Sequence, residues 1–163
     1  MFSGSVLSNI TFGKNRHGKP SKERVKAAIR VSQAEEFVSK LDDKEKAHIA
    51  QGGTNVSGGQ KQRLSIARTI ARDPEIYIFD DSFSALDYKT DSTLRSELKK
   101  YTKDATVMIV AQRIGTILNA DKIVVLDNGK CVGVGTHKEL MKKCKVYKEI
   151  ALSQVSKEEL ENV

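Results

Sequence analysis

A polar loop that runs straight into an amphipathic helix limits this chain most. It reads Val56-Ser57-Gly58-Gly59-Gln60-Lys61-Gln62-Arg63, then Leu64-Ser65-Ile66-Ala67-Arg68. Leu64, Ala67, Ile70 and Ala71 recur at helical spacing, which predicts a helix beginning at Ser57 or Gly58. Ser57 suits the N-cap, where its hydroxyl is open to a helix amide or a ligand oxygen. Two glycines at a helix start leave backbone N–H groups uncovered, and the helix dipole there favours an anion such as a phosphate. An ordinary capped helix with a flexible lead-in has the same local pattern. The rest of the chain has to decide between them.

At 163 residues the chain is sized for one domain or part of one. Its 39% hydrophobic and 30% charged content excludes the disordered and fibrous classes. No apolar run reaches the roughly 20 residues that span a bilayer. The start, Met1-Phe2-Ser3-Gly4-Ser5, is too polar for a secretion signal. Cys131 and Cys144 stand apart, without a CxxC pair or a histidine cluster, which favours reduced cytosolic thiols. The net charge of +7 permits contact with nucleic acid or an anionic membrane, but the lysines are scattered and only 6% of residues are aromatic. No platform for stacking bases is evident, so a solvated basic surface and no nucleic-acid partner are expected.

Residues 1–20 read as a loop-rich opening segment punctuated by Gly13, Gly18 and Pro20. Gly13-Lys14 and Gly18-Lys19 lack the following Ser or Thr and the upstream glycine spacing of a phosphate loop. Ser21 predicts the cap of a helix to about Val31, and Ala34 to Leu41 predicts a short second one. With the Ser57 helix these make an all-helical first half, with no strand pattern before residue 75. After Asp73-Pro74 the pattern turns to α/β. Glu75 to Phe79 and Thr106 to Ala111 are short apolar runs that suit strands buried on both faces of a parallel sheet. A helix with Leu94 and Leu98 on one face lies between them, and Asp91 is placed to pair with Arg95. Lys122 to Asp127 predicts a third strand, returning through an Asn128-Gly129 hairpin to Lys130–Gly135. Thr136 with Glu139 predicts a capping box, and a last helix covers Val146 to Gln154. The expected divisions are a helical subdomain at 1–72, part of an α/β core at 73–152 and a polar tail at 153–163.

Ile76 to Asp80 delivers a carboxylate to the carboxyl end of a strand, the edge where open α/β folds bind ligands. Asp80 suits Mg²⁺, held directly or through water, because magnesium prefers one or two carboxylates plus phosphate oxygens. Taken alone, a strand ending in Asp also reads as a plain strand-end cap. Likewise Ser84-Ala85-Leu86-Asp87 reads locally as a turn with Asp87 capping the next helix.

Together, the order of these motifs resembles the ATP-binding cassette (ABC) ATPases. Val56–Gln60 is similar to their L-S-G-G-Q signature, with Val56 in place of leucine. Ile76–Asp80 resembles Walker B, Ser84–Asp87 the D-loop and Val110-Ala111-Gln112-Arg113 the switch loop; Gly135-Thr136-His137-Lys138-Glu139-Leu140 follows in the family order. The resemblance covers the chain from Phe2 to about Leu152 and implies a truncated P-loop NTPase core with a helical signature subdomain. It implies ATP and Mg²⁺ as ligands of the intact transporter, which lies at the cytoplasmic face of the membrane. Its partners would be a transmembrane domain and a second half-transporter subunit.

Two positions depart from the hydrolysing pattern. Where this family has a glutamate that handles the attacking water, the chain has Asp81, one methylene shorter. A misplacement of ~1 Å costs about 10²-fold in rate. Where the family has the switch histidine, Gln112 cannot become a cation or relay a proton near neutral pH. Both departures fall, by resemblance, in one nucleotide site, as in the degenerate half of heterodimeric exporters. In that architecture Ser57, Gly58, Gly59 and Gln60 serve the ATP of the partner subunit. The Walker A loop, the adenine-stacking aromatic, the Q-loop glutamine and transmembrane helices have no counterpart, so the chain resembles the C-terminal part of a half-transporter. Without Walker A amides and lysine, weak ATP binding and no hydrolysis by this piece alone are expected. The sheet would also lack its Walker A strand, leaving its neighbours to close up, to be joined by another chain, or to stay exposed. Two other readings stay open: a soluble ABC ATPase acting on nucleic acid or ribosomes, and an inert truncated product.

Overall fold

The computed structural model describes residues 1–13 and 18–154. Lys14 and the tail from Ser156 therefore lie outside the described residues. Two compact units divide the chain, one spanning Met1–Met108 and one starting at Ile109.

In the first unit, β1 (Gly4–Ser5) leads into α1 (Val6–Ile10), α2 (Lys22–Val31) and α3 (Glu35–Ser39). Then come β2 (His48–Ile49), α4 (Gly58–Ala71), β3 (Ile76–Asp80), α5 (Tyr88–Tyr101) and the start of β4 (Thr106–Val110), whose last two residues fall in the second unit. Caps explain the helix starts. Ser21 Oγ accepts from Arg24 N and Asp87 Oδ1 accepts from Thr90 N at 2.9 Å, so orphan amides at the two N-termini are satisfied. Leu64, Ala67, Ile70 and Ala71 of α4 are all fully buried, as their spacing predicts. They pack with Val25, Ala28 and Ile29 of α2 and with Val6 and Ile10 of α1 in a core where α4 is the central helix. Burying each large aliphatic side chain contributes about 1.5–3 kcal/mol.

Two expectations need correction. The first half is not purely helical: β1 and β2 pair antiparallel, Gly4 opposite Ile49 and Ser5 opposite His48. A two-residue strand is too short to show a period, so only the ladder reveals it. Nor are the strands after Pro74 buried on both faces. β3 and β4 are neighbours joined through α5, the crossover that a parallel pair requires. Along β3 burial alternates: Tyr77 and Phe79 are 2% exposed, whereas Ile76 and Ile78 are 59% and 63% exposed. On β4 Met108 and Val110 are exposed likewise. The apolar run reads as doubly buried because both faces are apolar, yet one face of each strand remains open here.

The second unit is built on α6 (Ile114–Ile117), a hairpin of β5 (Ile123–Asp127) and β6 (Lys130–Gly135), then α7 (His137–Lys143) and α8 (Lys145–Gln154). Asn128 and Gly129 have φ of 48° and 75°, the left-handed pair that a two-residue hairpin of this twist demands. The register pairs Ile123 with Gly135 and Asp127 with Lys130, with an irregularity between Val125 and Leu126. Ile114, Ile123, Val125, Leu140, Cys144, Tyr147 and Ala151 form its core. The Thr136–Glu139 capping box is present as expected.

A buried histidine gives this unit a pH dependence. His137 is 5% exposed and its Nδ1 shares a 2.9 Å hydrogen bond with the Tyr147 hydroxyl. Burial, helped by the Lys138 charge, holds its imidazole below the ordinary histidine range. The native state therefore binds this proton less readily than the unfolded chain. Stability from this group is fully present above the unfolded pKa of about 6.5 and declines as pH falls from there toward the lower native value. Urea midpoints at pH 7.5 and 5.5 are expected to drop more in the native sequence than in His137→Asn.

Candidate functional site

The start of α4 is organised by its own side chains. Ser57 Oγ accepts from Gln60 N at 3.2 Å, and Ser57 N donates to Gln60 Oε1 at 2.9 Å, closing a reciprocal capping box. The hydroxyl oxygen that the sequence left open to an amide or a ligand is thus taken by an amide, and its hydrogen stays available to donate. Gly58 and Gly59 follow at the first helical positions. A Cβ on Gly59 would lie 3.0 Å from the Ala85 carbonyl oxygen, so glycine lets the helix start approach the 84–87 loop closely.

That loop hangs from β3. Tyr77 and Phe79 anchor the strand, and Phe79 packs against Phe83 with ring centroids 5.4 Å apart. Phe83 and Leu86 are buried at 5% and 7%. Between these anchors Asp80, Asp81, Ser84, Ala85 and Asp87 are exposed. Asp81 sits at φ 46°, in the left-handed region that few non-glycine residues adopt, aspartate among those that tolerate it. Its carbonyl accepts from Ser84 Oγ at 3.1 Å, and Ser82 Oγ donates to the Asp80 carbonyl at 3.3 Å. Asp87 is held below the usual carboxylate range, chiefly by the Thr90 backbone N–H and then by the Thr90 side chain. The structure thus brings the signature-like residues and the 80–87 loop together.

Gln112 belongs to the second unit. It is exposed, and its carbonyl accepts from Gln154 Nε2 at 2.8 Å, while Ile114 N donates to Gln154 Oε1 at 2.8 Å. One side chain of α8 therefore holds the 112–114 segment. Sequence reasoning missed Gln154, as it missed Gln62, whose amide faces the 81–85 loop. Neither carries a local signal, because a glutamine on a helix reads as solvated surface. Arg63 offers more: its Nη1 donates to the Gln33 carbonyl at 2.9 Å, and its guanidinium carbon sits 4.9 Å from the Phe37 ring centre. Burial pushes this guanidinium downward, and the Asp87 charge opposes that.

Asp80 presents an exposed carboxylate at the carboxyl end of β3. Among the described residues no group of three or more metal-ligating side chains exists. A single exposed carboxylate of this kind suits a magnesium ion that keeps water or phosphate oxygens as its other ligands. No helix among the described residues is long and apolar enough to cross a membrane.

A capped, glycine-opened helix start lies against the loop that follows β3 in an α/β fold, a class of architecture in which ligands bind outside the carboxyl ends of the strands. Comparison with known proteins makes this specific. Residues 4–84 match the family model described as ABC transporter. An uncharacterized ABC transporter ATP-binding protein of Mycobacterium bovis is 45% identical over 154 residues, covering 94% of this chain and 26% of the relative. An ATP-dependent lipid A-core flippase of Francisella tularensis is 40% identical over 147 residues, covering 90% of this chain and 24% of that protein. Among solved structures, a bacterial Atm1-family ABC exporter with ATP bound matches with a TM-score of 0.87 at 31% identity, over 94% of this chain and 26% of that one. The chain belongs to the ABC transporter family, with the fold of an exporter nucleotide-binding domain. It spans about a quarter of the length of these relatives.

Proposed function

We propose that this chain serves, within an ATP-driven membrane exporter, as the part of a nucleotide-binding domain that lends its signature loop to an ATP held by a second half-transporter subunit. The carrying observation is the start of α4: Ser57, Gly58, Gly59 and Gln60 form a capped, glycine-opened helix end packed on the Ser84–Asp87 loop. Such an end offers oriented N–H groups and a positive dipole to a phosphate. Asp80 is the carboxylate for the magnesium that accompanies ATP, which neutralises phosphate charge when bound. Residues 1–72 act as the helical signature subdomain and 73–152 as the α/β part, at the cytoplasmic face of the membrane beside a transmembrane domain.

Asp81 and Gln112 each depart from the residue that the hydrolysing pattern needs. The carboxylate of Asp81 is one methylene shorter than that of a glutamate, and Gln112 carries no ionisable proton. The site on this subunit is therefore slow or non-hydrolytic, and turnover resides with the partner, in a heterodimer. The test is ATPase turnover of the purified heterodimeric exporter. Asp81→Asn is expected to leave most activity, while the matching change in the partner lowers it by about 10²-fold or more. Equal loss from both changes would sink the assignment.

A further inference from the structure

Gln62 lies four residues after Gly58 and three after Gly59, which puts it on the same face of α4, the face turned to the 81–85 loop. Its side-chain amide is spent at both ends. Nε2 donates to the Asp81 carbonyl at 3.3 Å and to Ser84 Oγ at 3.1 Å, and Oε1 accepts from Ala85 N at 3.0 Å. Ser84 Oγ in turn donates to the same Asp81 carbonyl, so three polar groups of the loop close around one glutamine. This is where Asp81 takes its left-handed φ of 46°, a conformation that aspartate tolerates at some cost and that these contacts help to hold.

We propose that Gln62 is a positioning residue that clamps the 81–85 loop to the first turn of α4, so that the helix end offered to a phosphate and the loop carrying Asp81 and Ala85 move as one piece. The chemistry needs glutamine. A glutamate keeps the acceptor for Ala85 N but puts an oxygen against the Asp81 carbonyl, and an asparagine is one methylene too short. Removing the amide leaves α4 intact, because the capping box and buried face of α4 do not involve Gln62. It frees the loop to leave its strained conformation. This inference rests on the proposed function for its consequence, not for the clamp itself.

The test uses the assembled exporter carrying Gln62→Leu and, separately, the isosteric Gln62→Glu. Hydrogen–deuterium exchange of the segment containing Ala85 is expected to rise about tenfold in Gln62→Leu, the factor for one lost hydrogen bond. It should also rise in Gln62→Glu, with exchange in the α4 core unchanged. Ala85 of the clamped loop abuts Gly58 and Gly59, two of the residues proposed to be lent to the partner's ATP. Steady-state ATPase at the partner's site is therefore expected to show kcat down about tenfold with KM for ATP within about twofold, the pattern of lost positioning. Unchanged exchange in Gln62→Leu, or a rise in Gln62→Leu with none in Gln62→Glu, overturns the clamp and leaves the proposed function standing. Faster exchange with kcat unchanged, or with a raised KM alone, overturns the clamp's role in turnover. Failure of the proposed function itself is read separately, from the Asp81→Asn comparison.

Discussion

Phe79→Ala is expected to destabilise the first unit by about 3–5 kcal/mol, the usual cost of emptying a buried phenylalanine site. Ile78→Thr, one residue away, is expected to stay within about 0.5 kcal/mol. The contrast follows from the alternation along β3. Phe79 is 2% exposed, stacks 6.1 Å from Tyr77 and packs on Phe83, whereas Ile78 is 63% exposed and its β-branched shape survives in threonine. Burial also pushes the Tyr77 hydroxyl up to about 12, so this ring stays neutral across the working range. The chain has no tryptophan, so unfolding is followed by far-ultraviolet circular dichroism in urea. Losing Phe79 also removes the ring on which Phe83 rests, and with it the anchor of the Asp80–Asp87 loop. A stability loss confined to the side that faces inward would establish which face of β3 carries the fold. Equal losses at both positions would mean that the outer face is covered in solution.

How much of this was legible in the sequence depends on length and period. The α4 helix was readable because Leu64, Ala67, Ile70 and Ala71 repeat over several turns and Ser57 sits where a cap must be. The Asn128-Gly129 hairpin was readable because its turn chemistry is local. The β1–β2 ladder was not, since two-residue strands carry no period and their pairing spans more than forty residues. The open face of β3 and β4 was misread for a related reason: an all-apolar run states what a face is made of, not what lies against it. The site divides in the same way. Its exposed polar loops carry family-like strings, which is why Ser57–Gln60, Asp80, Asp81 and Ser84–Asp87 could be singled out. The glutamines that hold those loops were invisible, because Gln62 and Gln154 act through tertiary contacts with backbone groups 19 to 42 residues away.

Arg68→Met is expected to cost about 2–3 kcal/mol, the range for hydrogen bonds made by a charged donor whose acceptors are partly buried. On α4, Arg68 Nε donates to the Asn9 carbonyl at 2.7 Å and Nη2 to Asn9 Oδ1 at 3.0 Å. The guanidinium carbon lies 5.2 Å from the Phe2 ring centre and 5.9 Å from that of Phe12, rings that stack on each other at 4.0 Å. Asn9, 1% exposed, binds both backbone groups of Phe2 and the Ser5 carbonyl, so the opening segment is tied to α4 through one arginine and one asparagine. Burial lowers the Arg68 pKa, but an arginine stays charged in the folded protein. Methionine is shorter than arginine but keeps an apolar stem, so the loss it reports is chiefly of hydrogen bonds and cation–π contact. Arg68→Lys is expected to recover less than half, since an ammonium cannot reproduce the planar fork. A double-mutant cycle of Arg68→Met with Asn9→Ala, read from urea unfolding, is expected to give a coupling of about 1–3 kcal/mol. Limited proteolysis should then cut residues 2–13 in Arg68→Met while α4 and α5 resist, because the segment is held by this contact more than by its two-residue strand. A coupling near zero would mean that the ring stack and the β1–β2 ladder hold the segment by themselves.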